Sequence, residues 1–344
     1  MSLEQRTKIT KWKMGLGYGF NKFPNGKIAK DSLKSMQLFG NKSFLILILL
    51  IGLMGCKSNS KNKDNGKLKV VATTSIITDL LHQIGGDAID IQGLMGSGVD
   101  PHLYKASEGD VNKLFNADVV FYSGLHLEGK LVDIFERMEK QHKNTVAITD
   151  ILDRKELLAS EQFGSNYDPH IWFNVGFWTQ ITQYVTEKLK ELDPDNAGLF
   201  TVNSKQYLKE LEALEEEIKG VIETLPAEKR IVVTAHDAFN YFGMAYGFQV
   251  LGLQGISTAT EAGVQDVQQL SQFIIDNKVK SIFIETSVPR RNIEALQAAV
   301  TSKGHNVSIG GNLYSDALGT KGTIEGTYIG MFKYNVNTIV EALK

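Results

Sequence analysis

From Lys67 onward, short β-rich runs alternate with amphipathic stretches of helical period. Strands are expected at 68–72, 89–94, 119–122 and 145–148, with helices near 76–84, 108–116 and 131–140. The second half resumes the rhythm, with strands at 231–234, 249–253 and 281–284 and helices near 238–245, 264–277 and 290–302. Successive strands joined through helices of ten or more residues pair in parallel, because a tight turn can join only antiparallel neighbours. The chain is therefore expected to be α/β, built from parallel βαβ units. Its 344 residues, 42% hydrophobic with 32 Gly and 6 Pro, suffice for two domains, each with its own core. That composition excludes a disordered chain, a collagen-like chain and a small disulfide-stapled scaffold.

A different segment separates the halves. Asp193-Pro194 reads as a helix start, with the acid as N-cap and proline at the first helical position. Apolar residues then recur through Leu199, Val202, Tyr207, Leu208, Leu211, Leu214, Ile218 and Ile222 until Pro226. About thirty helical residues would span roughly 45 Å, the length of two small lobes end to end. A coiled-coil arm is the alternative to a stiff backbone serving both lobes. The expected organisation is an N-terminal α/β lobe at 67–193, a connecting helix at 194–225 and a C-terminal α/β lobe at 226–344.

The start of the chain is of another kind. Residues 1–55 hold nine Lys/Arg against two acids, a net of +7, which leaves −9 on the remainder. An acidic body argues against nucleic acid, which demands a basic face. The apolar run 44–54 has 11 residues, about 16 Å of helix and roughly half of a bilayer core. It is thus the core of a signal peptide and not a membrane span. The run ends in Leu53-Met54-Gly55-Cys56, which resembles a bacterial lipobox, with Met54 unusual at its position. Cys56 is the lone cysteine, so neither an internal disulfide nor a cysteine-based metal cluster can form. The expectation is cleavage before Cys56 and its lipidation, anchoring the protein to a bacterial membrane on the extracytoplasmic side. Met36 would open a conventional signal peptide of 20 residues, so the start at Met1 is expected to be too early. Residues 56–66, polar and without large apolar groups, read as a tether.

Three of the seven histidines have informative surroundings. Asp100-Pro-His-Leu-Tyr104 follows an expected strand, and Asp168-Pro-His-Ile-Trp172 repeats the pattern. His236 follows the strand 231–234, and ligands in open parallel sheets bind beyond strand carboxyl ends. Proline before histidine fixes φ and presents the ring from a stiff backbone, which lowers the ordering cost of a metal site. Three neutral imidazoles call for an anionic oxygen to complete a tetrahedral site and offset the charge of a dication. The candidate is Asp316 in Gly310-Gly-Asn-Leu-Tyr-Ser-Asp316-Ala-Leu-Gly319, although an aspartate in such a place is more often a helix N-cap. His126 is a candidate auxiliary group near the same sheet edge. Asp237 is a candidate to orient His236, with a surface carboxylate as the alternative. Glu261 and Glu285 are candidates to face the cleft without being ligands. His82, His142 and His305 read as helix-surface or loop residues.

On these four motifs, the sequence resembles the metal-binding solute-binding lipoproteins of zinc and manganese ABC importers, the cluster A-I periplasmic binding proteins. The motifs stand in the family's order: Asp-Pro-His-Leu-Tyr, Asp-Pro-His-Ile-Trp, Ala-His-Asp-Ala-Phe-Asn-Tyr-Phe from Ala235, and Tyr-Ser-Asp-Ala-Leu-Gly from Tyr314. The resemblance covers 67–344 and implies two α/β lobes joined by one rigid helix, with metal held in the cleft between them. It implies His102, His170, His236 and Asp316 as ligands of transported zinc or manganese, with no organic cofactor. It further implies a monomer that delivers metal to a permease powered by a separate ATPase. Manganese-selective members often have Glu at the third ligand position, where this chain has His236. Zinc-specific members often carry a His-rich loop between the first two ligands, where this chain has only His126 and His142. The two cues oppose each other and leave the metal open.

Two other functions compete with capture. A metal-dependent hydrolase would keep a coordination position open for water, whereas four protein ligands close the site, and His-Glu-x-x-His is absent. Neither a Gly-x-Ser-x-Gly elbow nor a phosphate loop is present. A surface adhesin is suggested by the anchor, though repeats and low-complexity tracts are lacking. The expectation is a binding protein, not an enzyme.

Overall fold

The computed structural model describes residues 66–160, 163 and 167–344. The signal peptide, Cys56 and nearly all of the tether lie outside the described residues. Four strands open the fold: β1 (Lys69–Ala72), β2 (Asp90–Gly93), β3 (Val119–Tyr122) and β4 (Asn144–Ala147). They form one parallel sheet in the order β2-β1-β3-β4. The crossovers carry α1 (Ser75–Gly85), α2 (Glu108–Asn116) and α3 (Val132–Lys140). After them come α4 (Val175–Leu192) and the long α5 (Ala197–Glu223). The second half contains β5 (Ile231–His236), α6 (Asn240–Tyr246), β6 (Gln249–Gln254), α7 (Val264–Asp276), β7 (Ser281–Glu285), α8 (Arg291–Ser302), β8 (Ser308–Leu313) and α9 (Tyr328–Leu343). Here β5 pairs with β6 and β7 with β8, both in parallel, and β5 lies beside β7. Among the described residues, no helix is long and apolar enough to cross a membrane.

Both sheet regions are covered on two faces, and the period-2 alternation of strand side chains shows how. Val70, Ala72, Val119 and Phe121 join the largest core, while Val71 and Val120 face a second one with Leu114, Leu131 and Met138. In the other half Val232 and Phe283 join the largest core, and Val233, Ile282 and Ile284 face α7 and α8. The largest core thus draws on both halves, and α5 runs through it.

That helix has 27 residues, about 40 Å, and starts later than the Asp-Pro signal suggests. Pro194 opens a separate 3₁₀ turn, Pro194–Asn196, and the Asp193 side chain accepts from Asn196 Nδ2 at 2.8 Å instead of capping backbone. The buried stripe of α5 is Phe200, Ser204, Tyr207, Leu211, Leu214, Ile218 and Ile222. Leu199 and Val202, expected on it, are exposed because they lie off its 3-and-4 spacing. The expected alternation also passes over α4 and α9, of which α9 packs against β8. Elsewhere the observed ends differ by a residue or two. The differences that matter are at β5 and β7, which run on to His236 and Glu285 and end side by side.

Candidate metal centre

Each Asp-Pro-His motif folds as a local turn in which the aspartate accepts from the histidine's own backbone N–H. Asp100 Oδ1 accepts from His102 N at 2.8 Å, and Asp168 Oδ1 from His170 N at 2.9 Å. This is the Asx turn favoured by a short acceptor two residues before its donor, with proline stiffening the middle. His102 follows β2, His170 precedes the 3₁₀ turn Ile171–Phe173, and His236 is the last residue of β5. Asp316 stands in an irregular loop after β8, where no helix begins, so the N-cap alternative does not apply.

These four side chains converge and are all buried, and their nearest nitrogen and oxygen atoms lie within 4.8 Å of one another. His102 Nε2 is 3.3 Å from His170 Nε2. His170 Nε2 is 3.4 Å from Asp316 Oδ1, and His236 Nε2 is 3.4 Å from Asp316 Oδ2. Four ligands at about 2.0–2.1 Å from a tetrahedral ion stand roughly 3.3 Å apart, so these separations suit a single small cation. Neither ring nitrogen of His236 has an aligned hydrogen-bond partner, nor does Asp316 Oδ1. Buried polar atoms left in this way are costly, and a cation in the cluster would satisfy His236 Nε2 and Asp316 Oδ1 together, while His236 Nδ1 faces Glu285.

The outer partners orient the rings. His170 Nδ1 is 2.7 Å from Asp168 Oδ1, leaving Nε2 to face the cluster. His236 N–H donates to Glu285 Oε1 at 2.9 Å, and its Nδ1 lies 2.6 Å from Oε2 at ion-pair distance, though out of hydrogen-bond alignment. Ser287 Oγ donates to Asp316 Oδ2 at 3.1 Å. Trp172, the aromatic of the second motif, meets the His170 ring edge to face at 5.3 Å and donates from Nε1 to the Ser315 carbonyl at 2.9 Å. Tyr104, the aromatic of the first motif, turns away, donating to Asp110 Oδ2 at 2.8 Å in the capping box of α2.

The electrostatics divide the three imidazoles. Burial is the largest influence on each and favours the neutral ring. At His102 it prevails, and the pKa falls to about 3. At His170 the charges of Asp168 and Asp316 outweigh burial and raise the pKa above the ordinary value. At His236 Glu285 and Asp316 raise it well above. Asp316 is held well below the carboxylate range, because His236 and His170 outweigh a burial that opposes its charge.

Other candidates separate from this cluster. Asp237 does not orient His236; its Oδ1 accepts from Gly252 N, and Glu285 takes the orienting place. Glu285 is 49 residues from His236, so only the lateral packing of β5 and β7 brings it there. Glu261 is exposed and pairs with Arg291 at 3.5 Å. His126 is exposed with φ 66°, its ring edge-on to Phe163 at 5.9 Å, and does not join the four. Its loop is secured by buried Glu128, whose Oε1 accepts from Thr73 Oγ1 at 2.6 Å and Ser123 N at 2.7 Å. A glutamate is rarely buried, and only the fold shows that this one is. His82 and His142 are exposed, and His305 Nε2 lies 3.0 Å from the Val279 carbonyl.

A family model described as zinc-uptake complex component A, periplasmic, matches residues 70–342. The manganese-binding lipoprotein MntA of Bacillus subtilis is 44% identical over 300 residues, 87% of this chain and 97% of that protein. The zinc-binding protein TroA of Treponema pallidum is also 44% identical, over 299 residues, 87% of this chain and 96% of that protein. A solved structure of the Treponema protein superposes with a TM-score of 0.79 at 46% identity, covering 81% of this chain and 99% of that one.

Proposed function

Because this chain belongs to the zinc-uptake component A family of metal-binding, ABC-transporter substrate-binding proteins, we propose that it captures divalent zinc or manganese outside the membrane and delivers it to an ABC permease. One observation carries the reading at this chain's own residues: a buried set of three histidines and one aspartate, spaced for a single small cation. His102, His170, His236 and Asp316 are its ligands, with Asp168 and Glu285 holding two of the rings. The family is one of transport binding proteins, so the hydrolase alternative has no place. Two relatives are named for different metals, manganese for MntA and zinc for TroA, and the ligand set here accepts either. Affinity in vitro should follow the general order for divalent ions, zinc above manganese. The lobes are 67–193 and 226–344, with 194–225 between them, so each lobe supplies two ligands.

Calorimetric titration of the metal-free protein tests this. One ion per chain is expected for each metal, and no uptake of either overturns the proposal. The pH dependence follows from the ring environments. The carboxylates beside His170 and His236 raise both rings above the ordinary imidazole value, so protons compete with metal there to higher pH than at a free histidine. Affinity should therefore climb as pH rises through and above about 6.5, and fall as pH drops. His102, already neutral above pH 3, adds no proton in that window. Metal uptake should release protons, read from enthalpies in buffers of different ionisation heat, and uptake without proton release would count against ligation by His170 and His236.

The anchor is proposed at Cys56, which directly follows the short apolar run. Cys56→Ser should abolish fatty-acid labelling and move the protein from the membrane fraction to the soluble one. Equal labelling of the variant would overturn the lipid anchor.

A further inference from the structure

The two Asp-Pro-His turns are alike in how each carboxylate holds its own histidine, and they differ in what grips the second oxygen. Asp168 Oδ2 accepts from Asn240 Nδ2 at 3.0 Å, and the Asp168 carbonyl accepts from Tyr241 Oη at 3.0 Å. Asn240 and Tyr241 are the first residues of α6, and Asp168, His170 and Tyr241 are all buried. This side of the site is held by a regular element with two bonds. Asp100 Oδ2 instead accepts one bond, from Thr258 Oγ1 at 2.5 Å. Thr258 is 158 residues away and sits in the irregular segment 255–263 between β6 and α7. Asp100 is half-buried and Leu103, the residue after His102, is 49% exposed, whereas Asp168 and Ile171, at the same places in the second turn, are buried.

We propose that Thr258 and Asp100 form the latch of the metal site, and that the ion leaves on the His102 side when this hydrogen bond opens. One carboxylate joins the latch to the ligand: Oδ2 takes the Thr258 hydroxyl while Oδ1 holds the His102 backbone. Opening the segment 255–263 removes the support on Oδ2, and the turn carrying His102 is then free to swing outward. His170 stays anchored to α6 by Asn240 and Tyr241, so ligand loss begins at His102. Thr258 is a positioning residue that acts through Asp100 and touches no metal. The proposal rests on the capture function above, since it concerns release from that same site.

The test is release of zinc, and separately of manganese, from the loaded protein into excess chelator, followed by stopped flow. Thr258→Val keeps the shape and removes the hydroxyl. It should speed dissociation about tenfold, the size expected for one hydrogen bond to a charged acceptor, with association unchanged. Thr258→Ser restores the hydroxyl and should return dissociation to near the wild-type rate. Wild-type dissociation from Thr258→Val, with one ion still bound per chain, overturns the latch and leaves the capture function standing. Equal acceleration in Thr258→Ser overturns it as well, because the hydroxyl would then not be the cause. Failure of the wild-type protein to bind either ion removes the capture function and the latch together.

Discussion

Asp316→Ala is expected to abolish the rise in melting temperature that zinc or manganese produces in the wild-type protein, and His102→Ala should do the same. At free metal of 100 times Kd, the bound wild-type gains about 2.7 kcal/mol by mass action. Losing a partner of a coordinating ring already costs about 10–100-fold in affinity, so losing a ligand should cost more than about a hundredfold and erase that gain. Asp316 reaches two imidazoles at 3.4 Å each and is the single anionic member of the four. Its removal also withdraws the charge that favours protonated His170 and His236, so the metal-free protein should bind fewer protons near neutral pH. His82→Ala and His305→Ala should leave the metal-induced shift intact, since neither belongs to the cluster. Thermal unfolding of these four variants with and without each metal is the measurement. A full shift in Asp316→Ala would remove it as a ligand, and a full shift in His102→Ala as well would remove the site.

Trp178→Ala should cost about 3–5 kcal/mol of folding stability, the range for truncating a large aromatic in a packed core. Trp178 of α4 is fully buried. It stacks on Tyr328 of α9 at 4.8 Å and 20°, and its Nε1 donates to Tyr207 Oη of α5 at 3.3 Å. Truncation would open a cavity among three helices and leave the buried Tyr207 hydroxyl without that donor. Trp178→Phe, which keeps a ring for the stack and loses the N–H, should cost less. Urea unfolding followed by circular dichroism gives both values. A cost under about 1 kcal/mol for the alanine variant would mean that the three helices do not share one core.

The elements that could be read in advance are those whose causes are local. The strand–helix alternation places β1, β3, α1 and α2 within a residue or so, because hydrophobic periodicity acts over a few neighbours. The Asp-Pro-His turns are legible for the same reason, since acceptor, proline and donor lie within three residues. The start of α5 is less so: Asp193-Pro194 forms a helical signal that the chain uses for a 3₁₀ turn. Its buried stripe includes Ser204, a polar residue that no apolar pattern marks and that accepts from Thr186 Oγ1 at 2.8 Å.

What the sequence determines by itself is the parallel α/β plan, the long helix between its halves, and the four residue types suited to a divalent cation. Those follow from periodicity and from side-chain chemistry, which each residue carries wherever it lies. Tertiary structure alone decides that Glu285 and not Asp237 holds His236, because β5 and β7 must first lie side by side. It alone decides that Thr258 grips Asp100 across 158 residues of chain. It also splits three chemically identical imidazoles. At His102 burial outweighs Asp316 and drives the ring neutral, whereas Asp168 and Glu285 help keep the other two basic. A histidine's proton affinity depends on which charges sit within a few ångströms of it, and the folded chain sets those distances.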